Sequence, residues 1–441
     1  MPRPHRVHKT AQTARPRALR SAAVLLTMGL LLTGCASTDG EKPAGDQGDP
    51  ASTSATQGGG AGASTTQASA SEGQGEGAAS VDPADFPASN TTGLTRLETL
   101  EGTGVVPKSV VSNQHGLMIT NNVTYRHNVI LFDTETREVV QTLEDTVDTD
   151  EMGIEGLSGE VSGAPVEAAW TKDGQHAYVT QYGIYDVGTK PDDNCTAGSA
   201  IAPSLVYRYS VAEKDWDAAY QVGRVPKYAA LSPDNTRLLV TNWCDDTMTV
   251  IDTQSGETEH TIPLDTMPRG IVVLPDNKTA YATAMWADKL YRVDLEAGTS
   301  EVVMHTGKNP RHLVLSPDGK TLYMTVAGAD AIVKLDAETG KVLDTAPAGD
   351  EPRSMDISAD GTALYVVNYH ASTVSKIDAE TLEIIDTAPA GVNTIGITYD
   401  KPSGEVWVAN YGGTIDIYDD TDGAGPRAGA SAEASTDSAE G

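Results

Sequence analysis

Only two phenylalanines occur in 441 residues, so Tyr, Trp, Val, Ile and Leu must fill whatever core this chain builds. Positive charge is scarce as well. There are 31 Lys and Arg against 62 Asp and Glu, and six of the basic residues (Arg3, Arg6, Lys9, Arg15, Arg17, Arg20) sit in residues 1–34, where there is no acid. The body beyond keeps 25 basic residues against 62 acidic ones. Such a surface repels polyphosphate, so no nonspecific nucleic-acid binding is expected. Cysteine occurs at 35, 195 and 244 alone, which excludes C-x-x-C metal and haem-attachment spacings. There is no H-x-x-x-H pair, P-loop or dinucleotide fingerprint, and no acidic run has an EF-hand loop, so no cofactor or metal is expected. The doublets Asp192-Asp193 and Asp419-Asp420 and the run Asp145–Glu155 read as solvated acids rather than calcium ligands.

The apolar run Ala22–Leu32 is too short to span a bilayer and follows a basic stretch ending at Arg20, the pattern of an export signal. It ends in Leu32-Thr33-Gly34-Cys35, which resembles the bacterial lipoprotein signal, in which the Cys is acylated and becomes the new N-terminus. The resemblance implies a signal peptide over 1–34, lipidation at Cys35 and an extracytoplasmic body anchored to the membrane. Residues 35–91 are Gly, Ser, Ala, Thr, Gln and acid, and are predicted to be a disordered tether, on the order of 40 Å end to end for a flexible chain of that length. The tail 421–441 has the same composition and the same expectation.

Between them one pattern recurs. Asn242, Ala284, Val326, Asn368 and Asn410 lie 42 residues apart, each at the end of an apolar run. Asp252, Asp294, Asp336, Asp378 and Asp420 keep the step, as do Pro226, Pro268, Pro310 and Pro352 and the turn acids Asp234, Asp276, Asp318 and Asp360. Each unit reads as four short strands separated by Asp-Asn, Asp-Gly and Gly turns, which supply the positive backbone angles of tight hairpins. Helices are excluded because the apolar residues alternate or cluster in runs of four to six between Gly and Pro. A four-stranded sheet with two apolar faces cannot bury both alone, whereas blades stacked round an axis can.

The stretches PDNKTAYATAMWADKLYRVD, SPDGKTLYMTVAGADAIVKLD and SADGTALYVVNYHASTVSKID resemble YVTN-type β-propeller repeats of surface-layer and periplasmic proteins, strongly over 223–420 and more weakly upstream. The resemblance implies a fold and very little about function. Inner strands start at Pro107, Pro165, Pro226, Pro268, Pro310, Pro352 and Thr394, which makes seven blades over residues 92–420. The last unit stops after three strands at Asp420, while TRLETLEG near residue 95 reads as an outer strand. The expectation is therefore all-β: seven four-stranded antiparallel blades, the final one closed by the N-terminal strand Thr95–Leu100.

Two insertions break the step, Glu144–Gly163 and Ile184–Pro203. The second carries Cys195 on the face where Cys244 lies in the next blade, which points to a Cys195–Cys244 disulfide in an exported protein; two free thiols are the alternative. On the same face the residue after the repeat proline is basic in five blades, at Lys108, Lys227, Arg269, Arg311 and Arg353. The loops after the second strands bring Tyr182, Trp243, Trp286, Tyr369, His370 and Tyr411. Cations among aromatics at a channel mouth would suit a small anion. Alternatively each Arg bridges to a carbonyl or an acid of the next blade, with Asp245, Asp288 and Asp330 in reach.

Three functions fit: a noncatalytic module on a membrane tether binding a small anionic ligand, a wall polymer or a protein; a lactonase-like hydrolase; and a structural surface-layer-like component. The hydrolase reading has only Arg311, His312, Arg353 and His370 to offer.

Overall fold

A computed structural model describes residues 83–102, 104–124, 126–185, 192–195 and 200–421. The signal segment, Cys35, the tether up to residue 82 and the tail beyond Thr421 lie outside these residues. Among the described residues no helix is long and apolar enough to cross a membrane.

Seven four-stranded antiparallel sheets follow one another round a closed ring. Blades 3 to 6 repeat almost without variation. Blade 3, for example, is Pro226–Leu231, Arg237–Asn242, Thr247–Asp252 and Thr258–Pro263. In blade 7 the strands Thr394–Asp400, Glu405–Asn410 and Thr414–Asp419 are joined by Thr95–Leu100, which pairs Thr95 with Asp419 and Leu100 with Ile415. The expected closure of the ring by the N-terminal strand is what the structure has.

The 42-residue landmarks each do a mechanical task. Asp252, Asp336 and Asp378 end third strands and accept the backbone N–H three residues on, at 2.6, 2.8 and 2.7 Å. Asp234, Asp318 and Asp360 each take a Ser hydroxyl at 2.6 Å and fix the first hairpin. These are the local side-chain-to-backbone bonds for which Asp is favoured in turns. Blades are then stitched to one another. Thr241, Thr283 and Thr325 donate to the carbonyls of Arg269, Arg311 and Arg353 in the next blade (2.8, 3.1 and 3.0 Å). Tyr281 and Tyr323 reach the Ala337 and Ala379 carbonyls likewise (3.0 and 2.8 Å). The apolar clusters lie between blades: Tyr281 and Leu290 of one pack against Leu313, Leu322 and Met324 of the next. Gly270 allows that approach, because a Cβ there would collide with the Arg311 carbonyl oxygen.

Two features differ from the sequence expectation. Ordered packing begins before residue 92: Asn90 is buried, its N–H bonds to the Asp420 carbonyl (2.8 Å), and Ser89 N–H bonds to Asp360 (3.1 Å). Ser89 and Asn90 continue the small, polar composition of the residues before them, so sequence alone carries the tether to 91. Within the first insertion, Thr146–Asp148 pairs with Glu160–Ser162 as a small separate hairpin.

Candidate functional site

Four of the five ring cations, all but Lys108, follow a strained backbone turn. The residue before the proline, or before Thr394, is left-handed in five blades: Val225 (φ 54), Met267 (59), Asn309 (60), Glu351 (55) and Asn393 (56). A branched residue such as Val225 adopts that conformation only when its surroundings impose it. The clamp comes from the loop after the second strand. Asp246, Asp288 and Asp330 accept the N–H of Met267, Asn309 and Glu351 at 3.0, 2.8 and 2.9 Å, and Ser372 does so for Asn393 at 3.2 Å. The chain is thereby turned so that the proline and the following side chain enter the channel mouth.

The three acids named for bridging are engaged otherwise. Asp288 and Asp330 hold backbone, and Asp245, one residue out of register with them, pairs with Arg224 (2.5 Å). None of the three is bonded to a ring cation.

The partners come from elsewhere. Lys108 lies 4.0 Å from Glu167. Lys227 pairs with Asp193 of the second insertion, and its ammonium sits over the rings of Tyr182 (4.3 Å) and Trp243 (5.3 Å). Arg353 is gripped by Glu351 through Nε and Nη2 (2.8 and 2.6 Å) and lies 3.3 Å over the Tyr369 ring. Arg269 and Arg311 have no carboxylate within ion-pair distance among the described residues. Arg311 is 7% exposed, its Nε has no hydrogen-bond partner, and its Nη1 meets only the Met285 sulfur at 3.9 Å.

Lys108, Lys227, Arg269, Arg311 and Arg353 therefore converge on one mouth. Burial is the first cause that lowers the pKa of Lys108, Lys227, Arg269 and Arg311, and the positive field of their neighbours adds to it. Lys227 is brought down to about 8, with Asp193 opposing the shift. Burial raises the Glu167 carboxyl, while Lys108 and Arg269 pull it the other way. The Tyr411 phenol is raised by burial and feels Arg269, Arg311 and Arg353 together, which places it within their field. A cavity of about 250 Å³ is lined by Lys108, Lys227, Tyr182, Tyr185, Asp193 and Tyr411, among others.

The aromatics divide. Tyr369 and Tyr411 meet edge to face at 6.4 Å beside the arginines. Trp243 is buried under the second insertion, its Nε1 donating to the Asp193 carbonyl (2.9 Å), so it holds the loop. The Cys195–Cys244 disulfide fastens the same loop, as the cysteine placement predicted. Trp286 is 65% exposed.

A second layer lies within the channel, two residues after the repeat prolines, and the sequence reading passed over most of it. Glu167, Tyr228, His312 and Ser354 occupy these positions and, with Asp356 and Thr398, line a cavity of about 150 Å³. The Met355 N–H donates to His312 Nδ1 (3.0 Å), so the ring proton is on Nε2 and meets the Tyr228 oxygen at 2.8 Å. Burial and then the field of Arg269, Arg311 and Lys108 hold His312 neutral, with its pKa at about 3. His370 is instead on the exterior, its Nε2 2.9 Å from Glu351. The four residues offered for a hydrolase are thus split between mouth, channel and rim. The acid doublets are committed elsewhere, Asp193 to Lys227 and Asp420 to Lys376. Among the described residues no three His, Cys, Asp or Glu side chains gather to hold a metal.

These blades and their ring define a seven-bladed β-propeller with a cationic channel mouth. A YNCE-like beta-propeller family model matches residues 210–338, in line with the propeller reading of the repeats. A chain of Kuenenia stuttgartiensis hydrazine synthase is similar in structure, with a TM-score of 0.56 and 18% identity, covering 72% of this chain and 96% of that one. At that identity the likeness is one of fold. No curated protein matches the chain.

Proposed function

We propose that this propeller is a binding module for a small anion, captured at the top channel mouth and held outside the cytoplasm on a lipidated tether. The observation that carries the reading is the pair Arg269 and Arg311, shut away from solvent with no acid in ion-pair contact among the described residues, and with the Arg311 Nε unpartnered. A buried charge costs several kcal/mol unless it is paired, and proteins seldom leave it so without a use. The mouth cavity of about 250 Å³ lies just below the usual range of small-molecule pockets, which favours a compact ligand over a wall polymer or a protein. Anchoring rests on the Leu32–Cys35 signal, and the acidic balance of the chain, net charge −31 overall, favours a recessed cationic site over a general anion-binding surface.

The test is thermal unfolding of the full chain against a panel of small anions, sugar acids, neutral sugars and metal ions. A ligand that binds only the folded state raises the melting temperature by mass action. The expected result is a rise with anions that is lost in Arg311→Gln. A rise with neutral sugars or metal ions alone would remove the reading, as would no rise with any anion. For the anchor, metabolic labelling with a radioactive fatty acid should mark the parent and leave Cys35→Ser unlabelled.

A further inference from the structure

The five ring cations are not equivalent. Lys108, Lys227 and Arg353 each have an acid of their own in Glu167, Asp193 and Glu351. Arg269 and Arg311, in adjoining blades, form no ion pair among the described residues and feel Glu167 and Glu351 only at longer range, so five ring cations share three acids. The acids nearest in the repeat add none, because Asp288 and Asp330 are tied to the backbone of the next turn.

We infer that the occupant is a compact dianion, a sulfate or phosphate-monoester group seated between Arg269 and Arg311, in preference to any monoanion; this rests on the anion-binding reading above. Each guanidinium is a planar fork of donors. One carboxylate offers two oxygens and a single charge, enough for one fork. A tetrahedral dianion offers at least three oxygens and two charges on one centre, so both forks can be engaged and both charges met. The unpartnered Arg311 Nε supplies a donor, and the Tyr411 phenol lies within the same field. Tyr411 also lines the neighbouring mouth cavity of about 250 Å³, whose own cations are Lys108 and Lys227. A phosphodiester polymer fits poorly, because each of its phosphates carries one charge.

The experiment is calorimetric titration of the full chain with four probes: sulfate, glycerol 2-phosphate, dimethyl phosphate and acetate. Both dianions should bind at least tenfold more tightly than either monoanion at pH 7.5. Arg269→Gln and Arg311→Gln should each cost the dianions roughly 10- to 100-fold, the range for one charged hydrogen-bonding partner, and nearly level the four probes. Arg311→Lys, which keeps the charge and loses the fork, should fall between. Between pH 7 and 5 glycerol 2-phosphate should weaken about tenfold as its second proton, with a pKa near 6, returns, while sulfate does not. The groups facing the site (Glu167, Asp193, Glu351, Lys108, Lys227 and Tyr411), together with His370 on Glu351, act on both ligands alike, so their ratio isolates the ligand's proton. Dimethyl phosphate or acetate binding as tightly as sulfate overturns the dianion inference and leaves the anion site standing. No heat and no melting shift with any of the four overturns the site itself.

Discussion

Lys376 and Arg311 are both cations removed from solvent, on strands of adjoining blades, yet their surroundings are opposite. Lys376 is wholly buried and fully engaged, with Asp420 Oδ1 at 2.5 Å, Asn90 Oδ1 at 3.1 Å and the Asn90 carbonyl. The other Asp420 oxygen takes the Tyr365 hydroxyl. This network binds the segment before the first strand to blades 6 and 7, where the ring closes. Arg311 has a sulfur at 3.9 Å and an Nε with nothing. Burial penalises both charges, but only the first is compensated inside the fold. The number of partners, rather than the depth of burial, separates a cation that holds the ring shut from one that waits for a ligand.

Asp420→Ala probes the paired side and should have the largest effect. It leaves the Lys376 ammonium buried and uncompensated, so a loss of about 3–5 kcal/mol is expected in denaturant unfolding. Arg311→Met should be neutral or stabilising, because it removes an unpaired charge and keeps the volume. Equal losses in the two variants would break the comparison. Next comes the disulfide. The Cys195→Ser, Cys244→Ser double variant should lose about 2–4 kcal/mol, since the bond closes a sequence separation of 49 residues. It should also loosen Asp193 from Lys227, leave a third ring cation without its acid and tighten anion binding, which calorimetry would register.

The paired side was partly legible in the sequence and the unpaired side was not. Closure could be read because Thr95–Leu100 resembles an outer strand and the final unit stops one strand short. The disulfide could be read because Cys195 and Cys244 sit in equivalent loops of neighbouring blades. The five cations could be read as a ring because they follow the repeat proline. Their partners could not: Glu167 and Asp193 belong to blade 2, where insertions destroy the 42-residue register, and proximity in sequence pointed to Asp245, Asp288 and Asp330 instead. Trp243 reads as a mouth residue because nothing in sequence says that an inserted loop lies over it. Lys376 carried no signal at all, since an isolated Lys in a strand ordinarily reaches solvent. The channel layer beneath could have been found by taking the position two after each proline, which yields Glu167, Tyr228, His312 and Ser354.

On the unpaired side, the inner strands of blades 4 and 5 approach closely at Gly270, beside Arg269 and Arg311. Gly270→Ala forces the strands apart and should cost about 1–3 kcal/mol, the range for overpacking. Because the displaced atom is the Arg311 carbonyl, the substitution should also weaken anion binding, whereas an equally destabilising change at the closure should not. A melting-temperature loss with anion affinity unchanged would show that the ring tolerates displacement.

The smallest effect concerns Lys227, the ring cation whose acid partner arrives on the inserted loop. Burial, helped by Arg269 and Arg311, places its pKa at about 8, against an ordinary value of 10.5. Between pH 8 and 10.5 the unfolded chain holds a proton there that the folded chain has released, so stability must rise with pH across that window. For this group alone the gain between pH 7 and 9 is about 1 kcal/mol, read as the difference between the parent and Lys227→Met, in which it should vanish. Anion affinity should move the opposite way over the same interval, falling as the mouth loses a charge. Stability and affinity with opposite pH slopes, both abolished by one substitution, would tie the cost of the buried cation to its use. Parallel slopes would place Lys227 with Lys376, as a residue of structure alone.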